Sequence, residues 1–217
     1  MGNVGLTRAC VMFNRLSVLG AFVVCLTIVA FLGCSDRPSR VHPPSINASS
    51  AGDDAMVAYD TNGDGLISGQ ELDKVSALKS AMKNLDSNGD KSVSSEEVTE
   101  RIEAWQKTRI GRMSLSCTVK WRDRPLEGAT VTFVPEKFLG EEIKGAIGTT
   151  NKNGQAFLSI PDTTPPGVAC GFYRVEISTK KDGKELVPAK YNTETILGQE
   201  VALDAASMKK GVTYNLK

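Results

Sequence analysis

Histidine is almost missing from this chain of 217 residues: His42 is the only one. Its isolation in a proline-bearing stretch excludes histidine zinc sites, serine–histidine–aspartate triads and cysteine–histidine pairs together, so the composition argues against an enzyme. Aromatic side chains are scarce as well, at 6%. Neither charge is in excess. Arg8 and Arg15 are the only charged residues ahead of Cys34, so the remainder carries 24 of the 26 basic side chains against all 25 acidic ones, a net charge of −1. That balance excludes the basic field that nucleic-acid binding needs. What is present is ordinary for a globular protein, with 41% hydrophobic and 24% charged residues, and the length allows at most two ordinary domains.

Residues 1–15 hold two arginines and no acid, and 16–33 run on without a charge. This is the pattern of an export signal. The run ends Phe31-Leu32-Gly33-Cys34-Ser35, which resembles a bacterial lipoprotein lipobox, although Phe31 and Leu32 depart from its usual Leu-Ala or Leu-Ser. The resemblance implies a signal peptide over 1–33, acylation of Cys34, and a lipid anchor in a cell-envelope membrane. An uncleaved transmembrane anchor is the alternative, because a run of this length just spans a bilayer. Both readings put the rest of the chain outside the cytoplasm. Residues 34–54 are rich in serine and proline and nearly free of large apolar side chains, which predicts a disordered linker.

Residues 60–71 read DTNGDGLISGQE. Asp60, Asn62 and Asp64 stand at positions 1, 3 and 5, Gly65 at 6, Ser68 at 9 and Glu71 at 12, and the backbone carbonyl of Leu66 falls at 7. A hard cation such as Ca2+ takes roughly six to eight oxygen ligands, and alternate residues of a tight loop present them. The segment fits the calcium-loop pattern of an EF-hand throughout. A second copy follows at 86–97, DSNGDKSVSSEE, offering Asp86, Asn88, Asp90, Ser92, Ser94 and Glu97. Its departure is Lys91 where glycine belongs. A left-handed lysine costs about 1–2 kcal/mol, so weaker binding is expected there.

Between the loops, Leu72, Val75, Leu78, Met82 and Leu85 recur at helical spacing. One straight helix would hold the loops about 20 Å apart. A break near Ser76, with that residue as N-cap of a second short helix, would let the loops pair through Ile67 and Val93. Val98, Ile102 and Trp105 then predict an exit helix ending near Lys107. The expected EF-hand pair covers 55–108.

From Met113 the hydrophobic period changes to two, as in Leu115, Cys117 and Val119, then Val131 and Phe133, then Tyr173, Val175 and Ile177. Short strands bounded by turn residues argue for a β-sandwich over 113–217. The segments RPLEGATVTFVP, GTTNKNGQAFLSI, GFYRVEIS and VPAKYN, with a final VTYNLK, resemble the transthyretin-like or carboxypeptidase regulatory-like domain of exported planctomycete-type lipoproteins. The resemblance implies an immunoglobulin-like fold without catalysis of its own. The fold class expected is thus α+β and multidomain, a short helical EF-hand pair followed by an all-β sandwich.

Cys117 and Cys170 are the thiols left in an oxidising compartment once the leader and Cys34 are set aside. A disulfide between them would stabilise the fold by about 4 kcal/mol in the chain-entropy model. Two buried free thiols are the other reading, because Cys117 shares the inward parity of Leu115 and Val119 while Cys170 is out of phase with Tyr173. The function these features imply is a non-catalytic, calcium-binding, lipid-anchored protein whose sandwich meets a protein or cell-envelope partner. The alternative makes the helical pair a dockerin-like docking module, against which both loops end in glutamate rather than aspartate.

Overall fold

Two short acidic loops close against each other through a single backbone bridge, and the helices that leave them lie on the edge of a β-sheet. The computed structural model describes residues 41–217, so the expected signal peptide and Cys34 lie outside the described residues. Among the described residues no helix is long and apolar enough to cross a membrane. The element mix is α+β. Helix α1 (Ala48–Tyr59) enters the first loop; α2 (Gly69–Lys74) and α3 (Ser76–Leu85) join the loops; α4 (Ser95–Thr108) leaves the second.

Helix α1 corrects the expected linker, whose last residues are helical rather than disordered. Asn47 caps it by accepting a hydrogen bond from the Ser50 amide at 3.2 Å. Its buried face consists of Ala51, Gly52 and Ala55. Small residues carry little hydrophobic signal, yet close approach requires them here: a Cβ on Gly52 would sit 2.5 Å from both the Ser95 carbonyl oxygen and the Thr99 hydroxyl of α4. The break between α2 and α3 falls at Val75, one residue before the expected place. Ser76 is not the cap. Its hydroxyl donates instead to the Leu197 carbonyl at 3.0 Å.

The strands make two four-stranded sheets. In the first, β1 (Leu115–Trp121) pairs in parallel with β10 (Val212–Leu216) and antiparallel with β2 (Arg124–Pro125) and β5 (Gln155–Leu158). In the second the order is β4 (Ala146–Thr149), β3 (Thr130–Pro135), β6 (Gly171–Ser178), β9 (Gly198–Val201), all antiparallel. A ribbon of β7 (Lys180–Lys181) and β8 (Lys184–Glu185) stands apart, and α5 (Ala206–Lys210) connects β9 to β10. Leu115, Cys117, Val119, Val131, Phe133, Tyr173, Val175 and Ile177 are all buried, as alternation requires when one sheet face is covered.

Phe172 breaks the alternation. It is fully buried on the opposite face of β6, because Trp105 of α4 lies against it with ring centroids 4.6 Å apart. The boundary expected at 109–112 therefore does not divide two cores: buried residues from α1 to β10 form one hydrophobic cluster within one compact unit. Cys117 and Cys170 are both free and buried, on strands of different sheets or their approaches, so the candidate disulfide is not formed. Burial pushes the Cys117 thiol up to about 12 and the Cys170 thiol to about 11, which leaves both unreactive.

Candidate metal centre

The two loops carry the same hydrogen-bond network at corresponding positions. In the first, Asp60 accepts from the Gly63 and Gly65 amides at 2.7 and 2.8 Å, Asn62 from the Asp64 amide at 2.8 Å, and Asp64 from the Leu66 amide at 2.9 Å. In the second, Asp86 accepts from Gly89 and Lys91 at 2.6 and 3.0 Å, Asn88 from Asp90 at 2.8 Å, and Asp90 from Ser92 at 2.7 Å. In each loop the Asn side-chain amide also donates to the following Asp carboxylate at 2.9 Å. Such local bonds wind a backbone into a tight turn whose polar groups would otherwise be unpaired.

The last residue of each loop closes it. Glu71 Oε1 accepts from the Thr61 amide and hydroxyl, both at 2.8 Å, and from the Asn62 amide at 3.2 Å; Oε2 accepts from the Ser68 amide at 3.3 Å. Glu97 repeats this with the Ser87 amide at 2.9 Å and the Ser94 amide at 3.0 Å. The Thr61 hydroxyl and the surrounding amides hold the Glu71 carboxyl below the ordinary glutamate range. Ser94 accepts in turn from the Glu97 amide at 3.2 Å, so residues 9 and 12 of the second loop are also the capping box of α4. The Ser-x-x-Glu spacing was visible in both loops, but the sequence reading assigned these residues to cation binding alone.

The loops pair where expected. Ile67 and Val93 exchange both backbone hydrogen bonds, at 2.8 and 3.1 Å, and both side chains are fully buried. The position-6 residues are left-handed in both loops, Gly65 at φ +83° and Lys91 at φ 65°.

All proposed ligands supply oxygen, the donor a hard cation prefers. Glu71 and Glu97 are buried, at 8% and 5% exposure, and among the described residues neither forms an ion pair with lysine or arginine. Buried carboxylates ordinarily carry such a counter-charge, so the donor set fits a cation. Among the described residues no three His, Cys, Asp or Glu side chains stand together as a metal-holding group. The Asp60, Asp86, Glu71 and Glu97 carboxylates accept instead from amides of their own loops.

Beside the loops lie two buried acids that the sequence reading did not single out. Glu136 accepts a short hydrogen bond from the Tyr59 hydroxyl, one residue ahead of the first loop, and burial raises its carboxyl above the ordinary value. Glu200 binds Arg101 and the Trp105 indole, and burial outweighs their effect in raising its carboxyl. Nothing local in the sequence marks either one, since their partners are 77 and 99 residues away. Compared with known proteins, the chain matches no family model and no curated protein sequence.

Proposed function

We propose that this chain is a calcium-binding, non-catalytic exported protein, lipid-anchored through Cys34, in which an EF-hand pair is fused to an immunoglobulin-like sandwich of binding or structural role. The observation that carries the calcium reading is the repetition of one hydrogen-bond network at the same positions of both loops, joined by the Ile67–Val93 bridge. Two chance acidic turns have no reason to share register, partners and a mutual backbone pair. Asp60, Asn62, Asp64, Leu66, Ser68 and Glu71 would form one shell, and Asp86, Asn88, Asp90, Ser92, Ser94 and Glu97 the other. A divalent cation there would offset most of the charge of the three carboxylates in each loop and tighten the turn.

A structural role for the pair is favoured over docking, because the faces that a docking module would offer to a partner are already occupied. Trp105, Leu78 and Ala77 are buried, and Trp105 and Ser76 meet the sheet directly. Calorimetry on the full chain in detergent tests the reading. Two unequal binding events are expected below millimolar calcium; no heat of binding at millimolar calcium overturns it.

A further inference from the structure

Both loops reach the same short strand. From the first, the chain passes through α2 and the break at Val75 to Ser76, whose hydroxyl binds the Leu197 carbonyl; there the backbones approach so closely that a Cβ on Gly198 would lie 1.9 Å from the Ser76 carbonyl oxygen. From the second, Glu97, Arg101 and Trp105 follow at intervals of four on one buried face of α4. Arg101 Nε donates to Glu200 Oε1 at 2.6 Å, and its two terminal nitrogens clasp Asp204 at 2.9 and 2.7 Å. The Trp105 indole N–H donates to the same Glu200 oxygen at 3.2 Å. Gly198 and Glu200 both belong to β9, an edge strand of the second sheet, and Asp204 opens the segment that crosses through α5 to β10 of the first.

Resting on the calcium reading above, we propose that β9 is the receiver of both loops: cation occupancy sets the order of this sheet edge and of residues 202–211 that tie the two sheets together. In the second loop Glu97 is the N-terminal anchor of α4, the helix that grips β9; in the first, Glu71 anchors α2, which leads through the break at Val75 to Ser76 and its contact with the same strand. The two grips fall on alternate residues of one strand, Gly198 and Glu200, so both loops act on the same element. An emptied pair loosens α2 and α4 at their starts, and among the described residues β9 has only β6 as its strand partner to hold it. Calcium here is therefore the ordering ligand of the sheet connection as well as of the helices.

Hydrogen exchange on the full chain, with calcium and with chelator, tests the proposal. At calcium a hundredfold over its dissociation constant, amides of 198–211 should slow by up to about a hundredfold, together with those of 60–108. Slowing confined to 48–108, in a protein that calorimetry shows to bind calcium, overturns the coupling and leaves the calcium reading intact. Absence of calcium binding overturns both. The double variant Arg101→Met with Glu200→Gln removes the ion pair without leaving a buried charge alone. It should bind calcium with unchanged stoichiometry while the calcium-dependent slowing of 198–211 falls by about tenfold; an unchanged slowing excludes this ion pair as a route.

Discussion

Among the positions at which the two loops differ, position 6 sets Gly65 against Lys91, and that difference separates what the turn demands from what the residue prefers. Both residues are left-handed, and both amides donate to the opening aspartate, at 2.8 Å in the first loop and 3.0 Å in the second. The network imposes the conformation. Glycine accepts it freely, whereas lysine resists it. The loops also reach the sheet differently, the first through a close backbone approach that admits no side chain at Gly198, the second through a buried ion pair.

The largest effect is expected where the loops are alike. Glu71→Gln removes a charged oxygen from the proposed ligand shell of the first loop and should weaken calcium binding there by about a hundredfold while sparing the second loop, read as the loss of one of two calorimetric events. It should also change the acid limb of stability. The Glu71 carboxyl lies below its unfolded value, 4.5, so its contribution is full above that pH and is lost as the pH falls through the lower folded value. Thermal melts of the parent should therefore fall more steeply than those of the variant as the pH drops below that unfolded value.

An intermediate effect tests the first loop's route to the sheet. Gly198→Ala places a methyl group where the Ser76 carbonyl already is and should destabilise the fold by about 1–3 kcal/mol in urea melts, with the backbone rather than a flexible side chain having to move. No loss would mean that α3 can withdraw from β9 without cost. The smallest effect sharpens the comparison directly: Lys91→Gly should stabilise the second loop by about 1 kcal/mol and bring its calcium affinity toward that of the first, measured by calorimetry. If Lys91→Gly weakens binding, backbone strain is not what separates the loops.

Much of the fold was readable in the sequence because it depends on neighbours within a few positions. The two loops, their pairing residues Ile67 and Val93, the break between α2 and α3, and the inward parity of Leu115, Val119, Val131 and Phe133 all follow from spacing. The start of α1 was missed because its buried face is alanine and glycine, whose small size matters only once α4 is beside it. Cys117 and Cys170 could not be decided either, since parity says which way a thiol faces and not what it meets.

What the sequence by itself determined is local chemistry: oxygen donors at alternate loop positions, helical and strand periods, and the left-handed demand at Gly65. Tertiary structure alone decided that the helical pair and the sheets share one core, that β1 runs parallel to β10, that Phe172 is covered by Trp105, and that Arg101 meets Glu200. These contacts join residues far apart in the chain. Their free energy comes from surfaces that exist only after the local elements have formed, so no pattern of nearby residues encodes them.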